Sequence, residues 1–132
     1  MLIIKNSWSK VIAGPDNPGA VFYEKLFEAA PYFMPMFKSD MGSQQSKFSA
    51  MITYMVMHLQ TLEEIQGEIN AMGKRHVHYG VQPEHYALVG KALIGTLESI
   101  LVEAWDDETA DAWTKLYNFW ASSMIQAAAE PQ

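Results

Sequence analysis

An all-α fold of about seven helices follows from three features of the 132 residues. Apolar residues recur at intervals of three and four along most of the chain, the spacing of one helical face. No segment alternates apolar and polar residues long enough to make a strand. Pro, Gly and capping residues interrupt the apolar stripes at spacings suited to short helices.

In residues 2–13, Ile4, Trp8, Val11 and Ile12 share one helical face. The run GPDNPG (14–19) ends that helix, and Asn17 followed by Pro18 starts the next with a cap and a first-turn proline. That second helix carries Phe22, Tyr23, Leu26, Phe27 and Ala30, and Pro31 closes it. PYFMPMF supports one or two turns, and KSDMGS reads as a loop. From Ser43 the stripe returns as Phe48, Met51, Ile52, Met55 and Leu59. Thr61 and Glu64 form a capping box for a helix striped by Leu62, Ile65, Ile69, Met72 and His76, with Gly80 in a terminating position. After Pro83 comes the stripe Tyr86, Val89, Leu93, Leu97 and Ile100. WDDET (105–109) supplies a cap and negative charge for a last helix carrying Trp113, Tyr117, Trp120, Met124 and Ala127.

Composition removes several function classes. The net charge is −6, divided −1 over residues 1–66 and −5 over residues 67–132, and no basic run exists. That argues against nucleic-acid binding by counterion release and against a basic membrane patch. The start MLIIKNSWSK lacks the pattern of a signal peptide, and no run of about 18 apolar residues occurs. The expectation is a soluble cytoplasmic protein of one domain. With no cysteine there is no disulfide, Cys-bound metal or thiol nucleophile. GxGxxG, P-loop, GxSxG and HExxH signals are all missing. The 49% hydrophobic content is enough for a sizeable core, and its Met and aromatic share exceeds what a small core needs.

The histidines are His58, His76, His78 and His85. Three fall within ten residues, but HxH on a helix points its rings about 200° apart, which disfavours a shared metal. His76 alone continues an apolar stripe and faces inward. Two readings stand for it at this point. One is a hydrogen-bonded core histidine. The other is an axial ligand for a flat apolar cofactor such as haem, which needs one proximal His and greasy walls.

The segment MGKRHVHYGVQPEHYALVGKALIGTL (72–97) resembles the proximal region of bacterial globins, of the flavohaemoglobin-like and single-domain kinds. The matching residues are Gly73, His76, Gly80-Val81, His85-Tyr86, Val89-Gly90 and Leu93. Trp8 matches the first-helix Trp of that family. VFYEKLF (21–27) resembles its second helix, Phe37 the Phe that stacks on haem, QQSKF (44–48) its distal helix, and DAWTKLY (111–117) the start of its last helix.

The resemblance implies a globin fold over residues 1–132, without a reductase domain, around haem b (iron protoporphyrin IX). It implies His76 as the proximal iron ligand and Tyr23 and Gln44 as distal donors to a bound gas. By residues alone Tyr23 reads as a packing tyrosine and Gln44 as a surface residue near a helix start. Gln45 takes the distal role if the register slips by one. The resemblance places Phe37, Phe48, Met72, Val81, Tyr86, Val89, Trp113 and Tyr117 around the cofactor. Lys47 reads equally as a propionate partner or a solvated lysine. In the family a Tyr and a Glu complete a charge network beside the proximal His. Tyr86 matches the Tyr, but the Glu position falls on Ala128, with Glu130 the nearby acid. A backbone carbonyl of Met72 or Gly73 is then the expected orienting partner of His76. The implied function is reversible binding of O2, with CO and NO as competitors. The alternative is an NO dioxygenase re-reduced by a separate reductase, and a third reading is a gas sensor. Nothing in the sequence sets the oligomeric state.

Overall fold

The computed structural model describes residues 2–36, 40–59, 66–78 and 84–129. Among them every regular element is helical: α1 (Leu2–Ala13), α2 (Pro18–Ala29), α3 (Met41–Met57), α4 (Gln66–His78), α5 (His85–Leu101) and α6 (Asp107–Ala129). Short 3-10 helices follow α2 (Pro31–Met36) and α5 (Val102–Ala104). The expected all-α class is what forms. The capping box at Thr61 and Glu64, and Gly80, lie outside the described residues.

Local chemistry accounts for most of the boundaries. Asn17 takes an extended conformation, and its side-chain oxygen accepts from Gly19 N at 3.0 Å and Ala20 N at 3.3 Å. A cap of this kind contributes about 1 kcal/mol. Helix α3 begins at Met41, inside the stretch expected to be loop. The reason is Asp40, whose carboxylate accepts from Ser43 N at 2.9 Å and so starts the helix before its first core residue. Asp106 does the same for α6, accepting from Thr109 N at 2.8 Å, and the Thr109 hydroxyl and N–H together hold its carboxyl below the usual range.

The core runs through all six helices. Val11, Leu26, Met55, Ile69, Leu93, Leu97 and Trp113 are its largest fully buried apolar side chains. At the α1–α6 crossing Trp8 and Trp113 pack with centroids 6.1 Å apart. Their indole N–H groups are satisfied by Thr53 Oγ1 at 2.9 Å and Ser7 Oγ at 2.8 Å respectively. Helix α4 lies along α6, while α3 packs on α2 and α1, and α2 also covers α5. Among the described residues α3 and α4 have no extensive contact with each other. That separation matters below, because these two helices carry Gln44 and His76.

The α5–α6 junction holds one strained residue. Val102 has φ 50° and is 65% exposed. A β-branched side chain is poorly suited to positive φ, and the left-handed region costs an L-residue roughly 1–2 kcal/mol. Replacing Val102 with Gly removes the clash and gives up little packing. The variant is expected to be more stable than wild type by about 1 kcal/mol, after the entropic cost of glycine, as a rise in the denaturation midpoint. A lower midpoint would show that the Val102 side chain is held by favourable contacts.

Candidate functional site

Two clusters emerge, one on α2 and α3 and the other on α4, α5 and α6. In the first, Gln44 Nε2 donates to the Tyr23 hydroxyl oxygen at 3.1 Å. The pair sits among aromatic rings. Phe22 stacks on Phe48 at 4.2 Å with planes 13° apart, and Tyr23 meets Phe22 edge-on at 4.9 Å, Phe48 at 6.1 Å and Phe27 at 5.8 Å. Burial pushes the Tyr23 phenol up, and the Gln44 bond offsets only part of this, so the hydroxyl keeps its proton at neutral pH. Because Gln44 occupies the oxygen as donor, the phenol's own hydrogen points elsewhere. Gln44, not Gln45, makes this bond. Lys47, on the same helix, stands exposed.

In the second cluster, His76 lies half-buried in the last turn of α4. Its Nδ1–H donates to the Met72 carbonyl at 2.7 Å. In a neutral ring this tautomer carries the lone pair on Nε2, a metal-binding atom. Burial lowers the His76 pKa; the Met72 carbonyl opposes that shift, and the Arg75 charge adds to it. The ring is therefore neutral at pH 7. The Tyr86 ring lies 6.4 Å from the His76 ring. Tyr86 is 7% exposed and its hydroxyl has no hydrogen-bond partner among the described residues. Its backbone carbonyl accepts from the Tyr117 hydroxyl at 2.7 Å. Burial raises both phenols, Tyr117 beyond the ordinary tyrosine range.

The family model for globins matches residues 20–124, most of the chain. The chain belongs to the globin family. Flavohemoprotein A of Dictyostelium discoideum is 31% identical over 116 residues, which are 86% of this globin and 29% of that protein. An uncharacterized globin-like protein of Aquifex aeolicus is 31% identical over 80% of this chain and 75% of its own length. Among solved structures, a bacterial globin from Campylobacter jejuni superposes with a TM-score of 0.82 at 26% identity, covering 96% of this chain and 92% of that one. The chain thus spans about 30% of the length of the flavohemoproteins it matches.

The remaining residues expected at the globin pocket fall in different places. Met72 and Val89 are half-buried against the core. Trp113 is fully buried, and its contacts given above are with Trp8 and Ser7 of α1. Phe37 and Val81 lie outside the described residues. Three contributors were not singled out from sequence. Phe22 forms the stack that backs Tyr23. Phe33 is buried and meets the His85 ring edge-on at 4.7 Å. Gly19 lies where α2 touches the α3 backbone.

The donor set fits a haem. Among the described residues no group of three His, Cys, Asp or Glu side chains could hold a bare metal ion. The neutral His76 imidazole on α4, aromatic walls on α2 and α3, and the separation of α3 from α4 suit a flat cofactor held by one axial ligand. No described helix is long and apolar enough to cross a membrane.

Proposed function

We propose that this globin binds haem b through His76 and uses it to bind O2 reversibly, with CO and NO as competing ligands. The observation that carries the reading is the Tyr23–Gln44 hydrogen bond, a part-buried polar pair against an aromatic wall. When bound, the haem supplies the iron that takes a diatomic gas.

The protein residues do the rest. The Met72 carbonyl holds the His76 ring in one tautomer and one orientation. Phe22 and Phe48 keep water away from Tyr23. Tyr23 and Gln44 offer donors to a ligand that carries partial negative charge, each worth about 1–3 kcal/mol in a dry site. Gln44 is a poor iron ligand and the Tyr23 phenol keeps its proton at neutral pH, so the gas side would stay open.

A second reading is favoured by the flavohemoprotein relatives: oxidation of NO by O2 to nitrate, with one electron returned from a separate reductase. Position 128 bears on it: where the resemblance expects a Glu the sequence has Ala, which carries no carboxylate. A proximal His without such a negative charge beside it is the weaker electron donor, which favours binding over turnover. The test is a purified protein that shows a Soret band, followed by O2 association and dissociation rates beside NO turnover with a reductase supplied. Slow O2 release with a single stoichiometric NO reaction supports the binding reading. Sustained conversion of NO to nitrate selects the enzyme. Failure to take up haem overturns both.

A further inference from the structure

We propose that Gly19 is a positioning residue for the distal pair: its lack of a side chain sets the α2–α3 distance at which Tyr23 and Gln44 meet. A Cβ built at position 19 would lie 2.8 Å from the Gln45 carbonyl carbon and 2.9 Å from its Cα, and closer still to the carbonyl oxygen. All three are backbone atoms, so no rotamer change relieves the clash and the helices themselves must part.

The hydrogen bond sits directly on this crossing. Tyr23 is one turn beyond Gly19 on α2 and projects from the same face. Gln44 is the neighbour of Gln45 on α3. Their 3.1 Å bond leaves little room for separation before it is lost. The Phe22–Phe48 stack at 4.2 Å belongs to the same crossing. A second close crossing serves as a comparison. At Gly73 an added Cβ would lie 2.8 Å from Met124 Cα and 2.9 Å from its carbonyl carbon, between α4 and α6. Gly73 is one turn before His76. At Gly67, on the same helix, nothing lies within 4 Å of an added Cβ.

The inference rests on the haem-binding reading, and the experiment separates the two. Wild type, Gly19→Ala, Gly73→Ala and Gly67→Ala are loaded with haem and carbon monoxide. The C–O stretch reports the distal donors, and the iron–imidazole stretch of the ferrous ligand-free form reports His76. Gly19→Ala is expected to shift the C–O stretch towards that of a site lacking its donor. It should speed O2 release severalfold and leave the iron–imidazole stretch unchanged. Gly73→Ala should lower thermal stability yet leave the C–O stretch in place, and Gly67→Ala should change neither frequency. A merely structural role for Gly19 would lower stability without moving the C–O stretch, and that result overturns the proposal, as does an equal shift in Gly73→Ala. Should Gly19→Ala fail to fold, Phe22→Leu alters the same crossing from beside it. An unmoved C–O stretch in that variant also overturns the proposal. Wild-type protein that takes up no haem removes the haem reading itself, before any variant is compared.

Discussion

Replacing His76 with Ala is expected to abolish stable haem retention, read as loss of the Soret band relative to protein absorbance after gel filtration. His58 and His85 are engaged elsewhere. His58 Nδ1 is held by the Tyr54 carbonyl at 2.7 Å at the far end of α3, and the His85 ring packs against Phe33 and Tyr32. A variant that still elutes with one haem per chain would show that another residue supplies the axial nitrogen. The cofactor-free protein carries a second signature of the same site. The His76 pKa is lowered in the folded state, chiefly by burial. A lowered folded pKa gives a contribution fully present above the unfolded value near 6.5 and lost as pH falls through the folded value. Stability of the cofactor-free wild type should therefore decline on acidification below about pH 6.5, since the unfolded chain then binds the extra proton. In His76→Ala that part of the pH dependence should flatten.

What could be read before folding divides along the range of the interactions. Asn17-Pro18 and Asp106 mark helix starts because a cap acts over three residues, and those starts stand where the sequence puts them. Asp40 acts by the same chemistry, but the periodic stripe begins only at the first core residue, so reading the stripe alone starts α3 two residues late. The contacts that join distant segments were not legible. Nothing local marks Thr53 as the acceptor for Trp8, or Ser7 as the acceptor for Trp113. Gly19 illustrates the limit. It looks like part of the turn that separates two helices, and only the approach of α3 reveals why a side chain there is not tolerated. At the site, periodicity brings His76 to an inward face without choosing between core residue and ligand. The roles of Tyr23 and Gln44 came from the resemblance, because an aromatic on an apolar stripe has the same pattern whether its hydroxyl serves packing or chemistry.

Replacing Tyr23 with Phe is expected to accelerate O2 release at least tenfold while changing O2 association much less. The substitution removes one oxygen and keeps the ring that meets Phe22, Phe27 and Phe48, so the aromatic wall should survive. The lost group is a strong candidate for the main donor. Its burial keeps it protonated across the physiological range, and the Gln44 amide donating to its oxygen turns its hydrogen away from Gln44. A hydrogen bond to a charged or strongly polarised acceptor is worth roughly 1.5–3 kcal/mol, which corresponds to about 10- to 150-fold in a dissociation rate. The effect belongs mainly in release, since the bond forms only after the gas has bound. Gln44 limits the loss: once the phenol is gone its amide is left without that acceptor and is available to turn towards the ligand. Gln44→Leu in the wild-type background should therefore cost less than Tyr23→Phe, and the double variant should release O2 faster than either. Stopped-flow replacement of O2 by carbon monoxide measures each rate directly. An unchanged release rate in Tyr23→Phe would show that the phenol packs against the pocket without reaching the ligand, and a larger effect from Gln44→Leu would transfer the donor role to the amide.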